Sequence, residues 1–101
     1  MNMQNLLAQA QKMQRELKKA QEELAQEEFT ASKGGAVSVV AYGDRKIKSI
    51  SIEPSALEVD NKEMLEEMLK LAIEEVMGNI KLAEEELNAR ITGRAEGMMG
   101  L

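Results

Sequence analysis

The side chains of this 101-residue chain that could do chemistry are almost all simple charges. Histidine and cysteine are both absent, which removes the imidazole base, the thiolate nucleophile and the nitrogen and sulfur ligands of a usual zinc site. The chain therefore reads as a non-enzyme with no metal and no cofactor. The cations that stand out are Lys12, Arg15, Lys18 and Lys19 early in the chain, Lys48 in its centre, and Arg90 and Arg94 late. Such groups can pair with carboxylates one helical turn away, and Glu16, Glu22 and Glu23 stand at that spacing. They can equally meet phosphates, releasing the counterions that surround a nucleic acid. The residues alone leave both open.

Other groupings read as structure. Glu84-Glu85-Glu86 would diverge around a helix, a solvated face rather than a cation site. Gly34-Gly35 follows a lysine, yet neither a Gly-Lys-Ser/Thr sequence nor a helix comes after it, so it is a turn and not a phosphate loop. Met64, Met68 and Met77 suit adaptable core packing. The net charge of -5 opposes nucleic acid overall, but it is uneven. Residues 1–28 hold four basic and five acidic side chains, residues 29–53 four and two, and residues 54–101 five and eleven. The first helix and the centre are thus left comparatively positive.

The elements that must position these charges follow from hydrophobic spacing. Met3, Leu6, Ala10, Met13, Leu17, Ala20 and Leu24 recur in alternating steps of three and four, the 3.5-residue repeat of a coiled-coil seam. A helix is predicted from about Met3 to about Gln26. Phe29 to Lys33, Val37 to Tyr42 and Lys46 to Ile52 read as three antiparallel strands, with turns at Gly34-Gly35 and Gly43-Asp44. Strict alternation puts Lys48, Ile50 and Ile52 on one face of the third strand and Ile47, Ser49 and Ser51 on the other. Pro54 stops the sheet. Ser55 with Glu58 and Asp60 with Glu63 have capping-box spacing, the first for a short turn and the second for a long helix reaching about Arg90. Its seam is Leu69, Ile73, Val76, Ile80, Ala83 and Leu87. The fold class is α+β, and the two long helices are predicted to pair as an antiparallel arm, with Leu6 near Leu87, Met13 near Ile80, Leu17 near Val76 and Leu24 near Leu69. Residues 92–101, with three glycines and no period, read as a flexible tail on a single domain spanning 1–101.

A chain this short holds a marginal core, and association is the natural remedy. Val37, Val39 and Ala41 point to one side of their strand and Val40 and Tyr42 to the other, more apolar surface than one subunit's helices cover. A homodimer is expected through Val37, Val39, Val40, Tyr42 and Ile50. No apolar run approaches the roughly 20 residues of a membrane span, and the start lacks signal-peptide character. A cytoplasmic protein is expected.

Four segments in order, Gln9-Ala10-Gln11-Lys12-Met13-Gln14, Gly34-Gly35-Ala36-Val37-Ser38-Val39, Ile50-Ser51-Ile52-Glu53-Pro54 and Lys62-Glu63-Met64-Leu65-Glu66-Glu67, resemble the YbaB/EbfC family of nucleoid-associated proteins, over about residues 3 to 90. The resemblance implies a tweezer-like homodimer whose helical arms bind double-stranded DNA with limited sequence preference in the nucleoid, and it tips the cations toward phosphate. Antiparallel pairing would gather Lys12, Arg15, Arg90 and Arg94 at the distal arm as the first phosphate contacts, with Lys18, Lys19 and Lys48 nearer the platform. Phe29 and Tyr42 are the only aromatics and both fall in strands, which leaves no platform for base stacking, so binding should read backbone and shape rather than bases. The competing class is a prefoldin-like chaperone or scaffold, gripping clients with Met3, Leu6, Leu7 and Met98 at the arm tips.

Overall fold

The computed structural model describes the backbone of residues 2–98 and the side chains of residues 2–93. Helix α1 (Met3–Gln26) is followed by strands β1 (Glu28–Lys33), β2 (Val37–Tyr42) and β3 (Ile47–Ile52), 3-10 turns at Pro54–Leu57 and Val59–Asn61, and helix α2 (Lys62–Met98). The molecule is 69 Å long and only 21 by 14 Å across. Among the described residues no helix is long and apolar enough to cross a membrane.

Helix α1 contains no glycine or proline, and at 24 residues it is about 36 Å long. Asn2 caps its start, the Oδ1 accepting from the Asn5 N–H at 2.8 Å. The sheet order is β1-β2-β3, antiparallel throughout. Gly34 and Gly35 turn β1 into β2 with positive φ at both. The β2–β3 turn instead docks on the end of α1, where the Gly43 N–H donates to the Glu27 carbonyl (2.9 Å) and the Asp44 N–H to the Ala25 carbonyl (3.3 Å).

Strand β3 departs from strict alternation. Val39 pairs with Ile50 and Val40 with Ser49, but Ala41 pairs with Ile47, so Lys48 is the extra residue of a β-bulge. Cross-strand partners share a face. Ile47 therefore joins Ile50 and Ile52 on the face that carries Val37, Val39 and Ala41, and not the face of Ser49 and Ser51.

Helix α2 enters through the two 3-10 turns rather than through capping boxes. Glu53 is the cap of the first turn and makes no side-chain cap bond, and Ser55 lies inside that turn. Asp60 lies inside the second. The helix also continues past Arg90 to Met98, through residues 92–98 that the spacing assigned to a tail. Arg94, Ala95, Glu96 and Met98 are good helix formers and offset the cost of Gly93 and Gly97. Residues 99–101 lie outside the described residues.

Two cores divide α2 between them. Ala72, Val76 and Ile80 pack on Ala31, Val37, Val39 and Ala41 of the sheet. Leu87 and Ile91 pack with Leu24 of α1, joined by Met13, Leu17, Ala20 and Ala83. The helices are antiparallel, but the register differs from that predicted. Leu24 meets Leu87 rather than Leu69, a shift of about 27 Å along the axis. Val76 and Ile80 face the sheet, so Leu17 and Met13 pack toward Ile91 instead. One 3-4 pattern serves two partners in succession: it covers the sheet up to Ile80 and pairs with α1 beyond it.

Val37 and Val39 are consequently buried within the protomer, 2% and 0% exposed, and cannot supply an interface surface. Val40 and Tyr42 are half-buried on the opposite face of β2. Helix α2 packs on β1 and β2 but not appreciably on β3, leaving Ile47 and Ile50 42% and 47% exposed.

Candidate nucleic-acid interface

The seam residues of α1 face α2, so the opposite face looks outward. At about 100° per residue, Lys12, Arg15, Lys18 and Lys19 all fall within a third of the helix circumference, centred away from the seam. All four are exposed. Among the described residues none of them forms an ion pair with Glu22 or Glu23. Four ion pairs lie elsewhere: Lys33 with Glu75 (3.2 Å) and Arg45 with Glu84 (2.5 Å) tie the sheet to α2, Lys48 pairs with Glu28, and Lys62 pairs with Glu66 (2.7 Å).

The structure does not gather Arg90 with Lys12 and Arg15. Arg90 shares a shallow depression at the base of the arm with Ala20, Glu23, Glu27, Ala83 and Glu86. From Glu23 to Arg15 is about 12 Å along α1, and three carboxylates line the same depression as the guanidinium. The register shift is the cause, since it brings Arg90 level with the last turns of α1. Arg94 is helical, and its side chain lies outside the described residues. Lys48 is on the sheet, where the hydrogen bond and charge of Glu28 hold its ammonium above the ordinary value of 10.5.

Arg45 was not legible in the sequence as a special position. It takes a left-handed conformation, φ 74°, just after Gly43-Asp44, and its guanidinium reaches Glu84 on α2. The only signal was its place in a short turn. Among the described residues no group of three acidic side chains is arranged to hold a metal ion.

A long helical hairpin with an outward cationic face, rooted on a small antiparallel sheet, defines a class of arm-bearing α+β proteins. The family model of the YbaB/EbfC DNA-binding family matches residues 1–95. A "Nucleoid-associated protein" of Acetivibrio thermocellus is 42% identical, the match covering 99% of this chain and 89% of that protein. Another of the same name from Ruminiclostridium cellulolyticum is 39% identical over 99% of this chain and 88% of its own length. The fold is shared with the crystal structure of the uncharacterized protein HP0035 from Helicobacter pylori, with a TM-score of 0.75 at 22% identity, covering 91% of this chain and 98% of that one. The chain belongs to the YbaB/EbfC DNA-binding family.

Proposed function

We propose that the protein binds duplex DNA as a homodimer in the nucleoid, catalysing no reaction and reading sequence only to a limited degree. The observation that carries this reading is the exposed face of α1, where Lys12, Arg15, Lys18 and Lys19 point away from α2. Phosphates can approach these groups without breaking any interaction that holds the fold. The names of the relatives, which match nearly the whole chain, support DNA as the partner and the nucleoid as its place. Arg94 joins the proposed contacts. Arg90 and Lys48 contribute less, because carboxylates stand beside both.

The homodimer rests on β3. It is an edge strand, and its bulge collects Ile47, Ile50 and Ile52 on a face that α2 leaves open. Burying that face against a second copy removes apolar surface from water at about 25 cal/mol per Å² and closes an edge. Two arms then rise from one platform, with Val40 and Tyr42 on the opposite face of the sheet.

The test is an electrophoretic shift of an arbitrary-sequence duplex over a salt series. A shift at low salt that weakens as salt rises supports the reading. The exposed Met3, Leu6 and Leu7 favour one other activity, capture of unfolded clients. Absence of any shift at low salt, with suppression of a client's aggregation, would establish that instead.

A further inference from the structure

Resting on the duplex-binding reading above, we infer that the start of α1, from Met3 to Gln11, enters the DNA major groove and that Gln4 and Gln11 read A·T pairs there, beside Ala8. The cationic face of α1 continues toward the tip without a carboxylate. Gln4, Ala8 and Gln11 share the side of the helix occupied by Lys12, Arg15, Lys18 and Lys19, and all are exposed. Residues 1–11 contain no charged side chain of either sign. The face thus has two zones, a cationic one from Lys12 to Lys19 and a neutral, amide-bearing one beyond it.

Among the described residues, α1 reaches further toward the tip than α2. Leu24 packs with Leu87, and both helices rise about 1.5 Å per residue, so Met98 falls level with about Met13. The turns carrying Gln4, Ala8 and Gln11 extend past the described end of α2. The major groove, about 12 Å wide, admits one helix and not a helical pair.

The side-chain chemistry matches the groove floor as the cations match its walls. A glutamine amide offers the donor and acceptor that pair with adenine N7 and N6, and an alanine methyl packs on the thymine methyl. Neither amide has a hydrogen-bond partner among the described residues. Gln4 and Gln11 are about 10.5 Å apart along the helix, about three base-pair steps. Lys12 stands next to Gln11 in sequence, so phosphate and base contacts are set together: the cations fix position and the amides supply the preference.

The experiment selects bound duplexes from a randomised pool with the full-length protein, alongside its affinity for one fixed duplex. Wild type is expected to enrich A·T pairs at positions about three steps apart. Gln4→Ala with Gln11→Ala should erase that enrichment, on the order of tenfold, while the salt slope of binding to the fixed duplex is unchanged, since no cation is removed. These substitutions favour helix, so folding is preserved. Gln11→Arg should move the preference toward G. Enrichment retained by the double alanine variant, or a wild type that binds the fixed duplex yet selects nothing, overturns the inference and leaves the duplex-binding reading standing. A wild type that binds no duplex overturns both.

Discussion

The backbone of Gly43 lies directly against that of Leu24: a Cβ at Gly43 would stand 1.9 Å from the Leu24 carbonyl oxygen and 2.7 Å from its carbonyl carbon. The root of the arm is fixed here, because the same approach carries the two backbone bonds from Gly43 and Asp44 to the end of α1. Gly43→Ala is expected to cost about 3 kcal/mol, since neither main chain can yield without losing those bonds. Gly78, mid-helix in α2 with nothing near its Cβ, is the control. Gly78→Ala should gain up to about 1 kcal/mol. Urea unfolding of the two variants measures both, and similar small effects at the two positions would contradict the docked turn.

Ile50 and Val39 are cross-strand partners with opposite fates. Val39 is fully buried in the protomer core, so Val39→Asp should unfold the chain by placing an unpaired charge there. Ile50 is half exposed, so Ile50→Asp should weaken the dimer first. Sedimentation velocity at micromolar concentration, with circular dichroism on the same sample, separates the cases. A wild type that sediments as a folded monomer would contradict the proposed interface.

Lys48 and Glu28 give a pH signature. The folded state holds Lys48 above its ordinary value of 10.5 through the hydrogen bond and charge of Glu28. A raised lysine contributes stability that is complete below its unfolded value and disappears as pH climbs through the folded one. The stability difference between wild type and Glu28→Gln should therefore be flat through neutral pH and fall away as pH climbs above 10.5. NMR titration of the Lys48 side chain should show a higher midpoint in wild type than in the variant.

Most of the fold was legible because its signals are local. The end of α1 at Gln26 and the bounds of β2 at Val37 and Tyr42 agree with the sequence reading. The arm register was not legible, because a 3-4 pattern declares an apolar face without naming its partner, and α2 has two partners. The bulge at Lys48 was hidden for the same kind of reason: alternation alone cannot show that Ile47 pairs with Ala41. That Lys12, Arg15, Lys18 and Lys19 lie off the apolar seam was readable from helical spacing. The setting of Arg90 among Glu23, Glu27 and Glu86 depends on the register and was not.

The central claim is that the outer face of α1 meets DNA phosphates, and charge reversal at Lys12 and Arg15 tests it most directly. Duplex affinity of wild type and of Lys12→Glu with Arg15→Glu is measured from roughly 50 to 200 mM salt, a range that resolves counterion release. Circular dichroism and sedimentation check the fold and assembly of both proteins. The account predicts weaker binding to every duplex by a similar factor, with a salt slope shallower by about 0.9 for each phosphate no longer neutralised. Unchanged affinity and slope in a correctly folded, correctly assembled variant would contradict it.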